Sequence, residues 1–431
     1  MERLPGFRDF YPDPVPHEDA WSARVRQYVF DTWRRMARRY GFVEYDGPPL
    51  EPLELYTLKS GPEIVRQLFD FVDKGGRHVA LRPELTPTLA RMVATHHRNY
   101  KKPLKWFAIP QLFRYEKQQR GRLREHFQFN ADIIGEPDVG AEAELIALII
   151  DTLRAFGLSE SDFVVRISSR VVWDEFFNRV CKKAELREEF YLAVDKLDRD
   201  RAKSEETLRS MGIPPETVYA LTEKAEPTGD LIRLLENLRA RGMQEYVTVD
   251  YKIIRGLAYY TGIVFEVFDR KGQFRAIAGG GRYDRLVKLI SGGKVDLPAA
   301  GFGMGDVVLT ELLTERGLIP TFEPTVLVYV IIQHESVREY GLSIVQRLRE
   351  KGYSVDYPLS QTKLDKQIKV TRDLNAQVVV EVALDSQSGS PYARVRLAKL
   401  PTAEQRVAND LSSVCQIVGD FLKEQVHSTR D

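Results

Sequence analysis

The spacing of apolar residues near the start of the chain predicts a long amphipathic helix. Apolar side chains recur at three- and four-residue steps from Trp21 to Tyr40, and Gly41 follows as a stop signal. The apolar stripe is wide and aromatic, which fits either core packing or the seam of a dimer. We therefore predict a helix over residues 21–40 and leave both uses of its stripe open.

Short strand patterns follow this helix. They are LFDFVD (68–73), HVALRP (78–83), LKWFAIPQLFRY (104–115) and HFQFNADIIG (126–135). The last two alternate polar and apolar residues on either side of a cationic loop, so they predict a hairpin. A helix with a glycine stop is predicted over residues 141–158.

Further along, the pattern changes twice. Between about residues 172 and 236 it is helical, highly charged and without a strand signal, which predicts a helical insertion. Strands resume over 246–269, and a strand leading into a helix is predicted at 301–313. Beyond a linker between Pro320 and Pro324, strands and helices alternate and end in a helix from about 402 to 424. This alternation predicts a separate α/β domain.

Composition narrows the class of protein. The chain of 431 residues carries a net charge of +1, and no stretch approaches the ~20 apolar residues of a membrane span. The N-terminus has no apolar signal core, so a cytoplasmic protein is expected. Cys181 and Cys415 are far apart and the seven histidines are scattered, so no metal site or disulfide framework is predicted. A net charge near zero argues against a protein that coats nucleic acid non-specifically, but it is compatible with a local basic site.

The predicted hairpin is such a site. Nine Lys and Arg residues but one acid lie between Arg98 and Arg124. Arg114 and Glu116 stand at period-two spacing, as Gln128, Asn130 and Asp132 do on the following strand, so each set points to one face. A polar sheet face is costly to bury without a partner, and arginine fits phosphate oxygens, so this face is predicted to bind a phosphate-bearing ligand. The alternative is a solvated face.

Two other stretches could carry chemistry. Arg255 lies inside an apolar run, where a buried arginine usually meets an anion, and it precedes Tyr259 and Tyr260. The glycines at 279–281 would allow a ligand to approach the backbone closely. This glycine run has neither the GKS or GKT ending of a phosphate-binding loop nor the GxGxxG pattern, which disfavours a Rossmann dehydrogenase.

Taken in order, these motifs resemble the histidyl-tRNA synthetase family over essentially the whole chain. The shared signatures are PGFRDFYP, RPELT, FRYE with FQFNADIIG, RGLAYYTG and GGGRYD. The C-terminal stretch TKLDKQIKVTRDLNAQVVV resembles the anticodon-binding domain of that family.

The resemblance implies an α+β fold and a reaction. Residues 1–324 would form a class II synthetase catalytic domain, an antiparallel sheet flanked by helices with the helical insertion, and residues 325–431 an α/β anticodon-binding domain. Histidine and ATP, with Mg²⁺, would give histidyl-adenylate, and the histidyl group would pass to tRNA(His). The resemblance also implies a homodimer and no editing domain.

Residue roles follow from the same resemblance. Arg114 would hold the α-phosphate, Arg255 would stabilise charge that develops there, and Glu116 would meet the adenine amino group. The histidine pocket would comprise Glu84, Thr86, Arg114, Gln128, Asp132, Arg255, Tyr259 and Tyr260. The cationic loop would reach the tRNA acceptor end through Lys117, Gln118, Gln119, Arg120 and Arg122.

The sequence departs from the family pattern at several positions. The third class II motif usually reads Gly-x-Glu-Arg, whereas Val307 and Val308 stand at its last two positions. RGLDYY is RGLAYY, and His126 takes the position of the aromatic residue that stacks on adenine. The family's GGRYDGL becomes GGGRYDRL, so our hypothesis is that Arg285 partly replaces the missing cation at the γ-phosphate or adenine; the alternative is a solvent-facing arginine.

Three other functions fit parts of the pattern. A catalytically silent paralogue that regulates ATP phosphoribosyltransferase in histidine biosynthesis would share the fold but typically lacks the C-terminal domain. A module that senses uncharged tRNA would not need the adenylation residues. The third is a class II synthetase of another specificity.

Overall fold

Two compact units make up the protein, Met1–Ile319 and Pro320–Asp431. The computed structural model describes residues 2–17, 20–58, 65–117, 119, 121–197, 200–224, 226–254, 259–398 and 406–428. Within these ranges, no helix has the length and apolar character needed to cross a membrane.

The helices of the first unit are α1 (Ala23–Arg39), α2 (Leu53–Thr57), α3 (Thr86–His96), α4 (Gly140–Ala155), α5 (Arg170–Val180), α6 (Arg187–Asp195), α7 (Arg201–Ser210), α8 (Pro215–Lys224), α9 (Asp230–Ala240), α10 (Leu286–Ile290) and α11 (Asp306–Glu315). Its strands are β1 (Phe10–Tyr11), β2 (Trp21–Ser22), β3 (Val43–Glu44), β4 (Leu50–Pro52), β5 (Phe69–Val72), β6 (His78–Leu81), β7 (Leu104–Ala108), β8 (Gln111–Phe113), β9 (Glu125–Ile134), β10 (Phe163–Ser169), β11 (Val247–Val249), β12 (Ile263–Asp269), β13 (Ala278–Arg282) and β14 (Ala299–Gly305).

One large sheet organises the first unit. Its strand order is β11-β10-β12-β13-β14-β9-β7-β3, and β8 pairs with β9 beside this row. The interior pairs are antiparallel, and only the two outermost pairs, β10 with β11 and β7 with β3, are parallel. The predicted hairpin is confirmed, because Gln111 pairs with Phe127 and Phe113 with Glu125 in antiparallel register. A smaller sheet has the order β4-β6-β5.

The core lies between one face of this sheet and the helices α1, α4 and α11, and it continues into the helices of the predicted insertion, α5 to α9. The Ser22 side chain caps α1 by accepting a hydrogen bond from the Val25 amide (3.3 Å). Further along α1, Trp33 is fully buried and stacks on Phe129 of β9, with ring centroids 5.7 Å apart. The apolar stripe of α1 is therefore used in the core of the chain itself. The segment predicted as an insertion contains α6, α7, α8 and most of α5 and α9.

The second unit is a smaller α/β structure. Its strands are β15 (Val328–Ile332), β16 (Val355–Asp356), β17 (Val378–Leu384), β18 (Pro391–Leu397) and β19 (Arg406–Ala408), in the order β16-β15-β17-β18-β19. Its helices are α12 (Arg338–Glu350), α13 (Leu364–Asp373) and α14 (Leu411–Ser428).

The predicted start of the final helix, near residue 402, is wrong. Residues 406–408 form β19, which pairs with β18, and the helix begins at Leu411. The Asp410 carboxylate accepts hydrogen bonds from the Ser413 amide (2.9 Å) and hydroxyl (2.6 Å), which is how a helix N-cap residue acts. Residues 402–405 lie outside the described part of the chain.

Candidate active site

The candidate site lies on the face of the large sheet opposite its core. Gln128 and Asp132 of β9 both project over β14, as their spacing predicts. A Cβ atom added to Gly303 would lie 2.5 Å from the Gln128 amide carbon, and one added to Gly301 would lie 1.9 Å from Asp132 Oδ1. These two glycines therefore make the room that both polar side chains occupy.

Asp132 is a buried carboxylate next to a tyrosine. Its side chain is 3% exposed, and the Tyr283 hydroxyl donates a hydrogen bond to Oδ1 (2.5 Å). Burial raises the pKa of Asp132 to about 7, although the Tyr283 hydrogen bond acts to lower it. Near neutral pH this carboxyl group is therefore poised between its neutral and charged forms.

A second buried carboxylate, Glu84, is bound by a second tyrosine. The Tyr259 hydroxyl donates a hydrogen bond to Glu84 Oε2 (2.7 Å), and burial raises the pKa of Tyr259 well above its usual value. Thr86, the first residue of α3, lies near the Tyr259 hydroxyl and acts to lower the pKa of Tyr259. The Tyr260 ring lies 5.1 Å from that of Tyr259. The predicted pocket residues on two separate segments, 84–86 and 259–260, therefore come together with Asp132, since Tyr259 also contacts Tyr283 (5.9 Å between ring centroids).

The hairpin loop, residues 114–124 between β8 and β9, carries the residues that are predicted to bind the α-phosphate and the adenine of ATP. Arg114 lies just past β8 and is half-buried, and its Nε donates to the Pro83 carbonyl oxygen (2.9 Å). Glu116 is buried, and Arg122 Nε lies 2.5 Å from its Oε2. Burial, followed by the charges of Arg114, Arg8 and Arg122, lowers the pKa of His126 to about 3, so its imidazole is neutral at pH 7.

Some predicted site residues are not brought into this arrangement. Arg255, Gln118 and Arg120 lie outside the described residues. Arg285 is exposed and directly precedes α10, and among the described residues it forms no ion pair. Its predicted role at the nucleotide stays a prediction.

A buried cluster of charged side chains holds the third class II motif (residues 305–308) in place. Asp306, the first residue of α11, accepts hydrogen bonds from Arg8 Nη1 (2.8 Å) and from the Phe127 amide (2.9 Å). Arg8 Nε also donates to Glu125 Oε1 (2.6 Å), and all three side chains are at most 5% exposed. Val307 and Val308 follow and are buried. The first turn of α11 is therefore fixed to the N-terminal segment and presents no cation.

Sequence reasoning missed several members of the site. Tyr283 belongs to the quoted GGGRYD motif, but only its glycines were assigned a role. Tyr45 packs against the buried cluster that contains Tyr259 and Tyr283, and its buried hydroxyl has no hydrogen-bond partner among the described residues. Arg8 lies in the PGFRDFYP signature, and Asp306 lies at the second position of the third class II motif, directly before Val307. Their charges inside apolar surroundings were the available signal.

The described residues contain no group of three or more His, Cys, Asp and Glu side chains that could hold a metal ion.

The central antiparallel sheet, with its hairpin loop and the helix that follows β14, is the architecture of a class II aminoacyl-tRNA synthetase.

Comparison with known proteins identifies the family. The family model described as "Histidyl-tRNA synthetase" matches residues 16–306, and this chain belongs to that family. A histidine--tRNA ligase of Opitutus terrae is 44% identical over 405 residues, which span 88% of this chain and 90% of the relative. The chloroplastic/mitochondrial histidine--tRNA ligase of Arabidopsis thaliana is 39% identical over 410 residues, 90% of this chain and 82% of that protein.

Solved structures share the fold. An apo S. aureus histidyl-tRNA synthetase aligns with a TM-score of 0.73 over 97% of this chain and 100% of its own. A Bacillus halodurans protein described as an ATP phosphoribosyltransferase regulatory subunit/histidyl-tRNA synthetase gives 0.70 over 88% and 98%. Both are 22% identical to this chain, so they support its fold alone and carry no argument about its activity.

Proposed function

We propose that this chain activates L-histidine with ATP and transfers the histidyl group to tRNA(His). The observation that carries the proposal is the pair of buried carboxylates, Glu84 and Asp132, each fixed by a tyrosine hydroxyl beside the hairpin loop. The relatives named histidine--tRNA ligase support the same reaction.

The two carboxylates suit an imidazole-bearing substrate. An imidazole has one donor and one acceptor when neutral and two donors when protonated, and carboxylates accept from either form. The pKa of Asp132 is about 7, and when its carboxyl group is protonated it can also donate a hydrogen bond. A pocket of this kind can reject amino acids without the matching polar atoms by about 10⁴–10⁵-fold. Gln128, Thr86 and Tyr260 would complete the pocket.

Activation then requires the histidine carboxylate to attack the α-phosphorus of ATP. The new bond joins carboxylate oxygen to the α-phosphorus, the bond to the bridging oxygen breaks, and pyrophosphate leaves. Arg114 and Arg255 are proposed to stabilise the charge that develops on the α-phosphate. Glu116 would accept a hydrogen bond from the adenine amino group, and the flat, neutral ring of His126 would stack on adenine. Mg²⁺ would be held mainly by the ATP phosphates, a common arrangement for this ion.

In the second step, a ribose hydroxyl of the tRNA attacks the adenylate carbonyl carbon, and AMP leaves. Gln118, Arg120 and Arg122 are proposed to contact phosphates of the acceptor end, which needs local positive charge rather than a basic protein. The second unit, 320–431, is proposed to bind the anticodon. A cytoplasmic homodimer is proposed for the whole enzyme.

Charging of total tRNA with radiolabelled histidine tests the proposal. We expect the label to appear in tRNA(His) alone, and Glu84→Gln to raise the KM for histidine. A catalytically silent regulatory paralogue is the alternative, and it predicts no transfer of histidine to any tRNA. Charging with an amino acid other than histidine would refute the assignment.

A further inference from the structure

We propose that Arg275 supplies the positive charge that meets the outer phosphates of ATP. This inference rests on the proposed function, because it assigns a further residue to the same nucleotide site. Arg275 is an exposed residue on the turn that joins β12 to β13. It belongs to none of the motifs from which candidate site residues were predicted.

The need for such a residue comes from the charges around the hairpin loop. The triphosphate of ATP carries several negative charges, and pyrophosphate leaves with most of them. In the first turn of α11, Asp306 is acidic and is followed by two buried valines. Arg8 is neutralised by Glu125 and Asp306, and Arg122 lies against Glu116. Neither Arg8, Arg122 nor the first turn of α11 therefore supplies an unpaired positive charge for the outer phosphates of ATP.

Arg275 lies beside the loop and the first turn of α11. A Cβ atom added to Gly121 of the loop would lie 3.2 Å from Val308 Cγ2 and 3.7 Å from Arg275 Cδ. Val308 and the Arg275 side chain therefore flank the same point of the loop. Gly121 has a φ of +70°, which other residues rarely adopt, and its missing side chain lets the loop pack this closely.

The Arg275 guanidinium is anchored without being neutralised. Its Nη2 donates a hydrogen bond to the side-chain oxygen of Gln119, a neutral amide in the same loop. Glu311 Oε2 lies 3.9 Å from the same point above Gly121, but among the described residues no ion pair involves Arg275. A guanidinium that is exposed, oriented and still charged is well suited to bind phosphate oxygens in a bidentate manner.

These contacts favour Arg275 over Arg285 as the replacement cation. Arg285 precedes α10, a helix that packs against α3, and its side chain forms no hydrogen bond or ion pair with the described residues of the hairpin loop. Arg275, by contrast, touches the loop at two residues, Gln119 and Gly121. The two residues make opposite predictions when each is replaced.

The experiment compares the binding of ATP with that of AMP, measured by isothermal titration calorimetry, and the KM values for ATP and pyrophosphate in exchange. The variants are Arg275→Gln, Arg275→Lys and Arg285→Gln. Lys271→Gln is the matched control, because Lys271 is an exposed cation on the same turn. We expect Arg275→Gln to weaken ATP and pyrophosphate by about 10- to 100-fold, the effect of one charge-assisted hydrogen bond, and to leave AMP within about twofold. Arg275→Lys should recover part of the loss, and the control should behave as wild type.

Three results would overturn the assignment. The first is an Arg275→Gln variant that binds ATP as well as wild type. The second is an equal loss for AMP and ATP, which would mean that Arg275 only positions the loop. The third is a loss confined to Arg285→Gln. A wild-type protein without histidine-dependent exchange would refute the proposed function, yet its ATP and AMP affinities would still decide the role of Arg275; failure to bind ATP would refute both.

Discussion

Replacing Asp132 with asparagine should remove a pH-dependent loss of stability while keeping the local hydrogen bond. The side chain is 3% exposed, and the Tyr283 hydroxyl donates to it at 2.5 Å. An asparagine carbonyl oxygen can accept the same hydrogen bond. The substitution therefore changes the charge of the site more than its geometry.

The size of the effect follows from the pKa of Asp132. Burial raises this pKa from 3.8 to about 7, so between these two values the folded state holds a proton that the unfolded state releases. The free energy of unfolding therefore falls as pH rises through this window, and the low-pH side is the stable side. The full shift corresponds to roughly 4 kcal/mol, of which roughly 2–3 kcal/mol falls between pH 5 and pH 8.

Urea unfolding of the first unit at pH 5 and pH 8 measures this difference. The stability of Asp132→Asn relative to wild type should increase by roughly 2–3 kcal/mol from the lower to the higher pH. Asp70→Asn, which replaces an exposed aspartate of β5, is the matched control and should show no such increase. If the relative stability of Asp132→Asn changes by less than about 0.5 kcal/mol, the size of an ordinary surface substitution, Asp132 is not the buried titrating group described above.

Three further predictions concern the pocket, the two units and assembly. Gly301→Ala would place a methyl group 1.9 Å from Asp132 Oδ1, so the KM for histidine in pyrophosphate exchange should rise at least about tenfold, whereas Gly305→Ala, which has open space, should change it little; equal effects would contradict the packing argument. Deleting residues 325–431 should preserve histidine activation and abolish most tRNA charging, and a folded truncated protein that cannot form adenylate would show that the units are not separable. Light scattering should give about twice the chain mass of 49.5 kDa, against a monomer mass if no homodimer forms.

The polar face of the site could be predicted because strand geometry has a period of two. Gln128 and Asp132 were placed on one face from their spacing alone, and the structure puts both over β14. The glycines were harder to interpret. The run at 279–281 suggested a ligand, but a Cβ on Gly280 would lie 2.2 Å from the Gly301 carbonyl oxygen, so that glycine serves strand packing. The glycines that make room for the polar side chains are in β14.

Pairings between distant segments could not be predicted from local patterns. Tyr283 and Asp132 are 151 residues apart, and Arg8 and Asp306 are 298 apart. Periodicity assigns a residue to a face of its own element but does not say which other segment packs against that face. The same limit explains why Arg275 was overlooked: its position matters only because Gly121 and Val308 lie next to it.

Pyrophosphate exchange measured separately with each of the twenty amino acids tests the proposed specificity most directly. With ATP and Mg²⁺ present, the account predicts exchange with histidine and background with every other amino acid. Exchange with a different amino acid and not with histidine would contradict the pocket built around Glu84 and Asp132. Absence of exchange with all twenty, in a folded protein, would contradict the synthetase reaction itself and favour the silent regulatory paralogue.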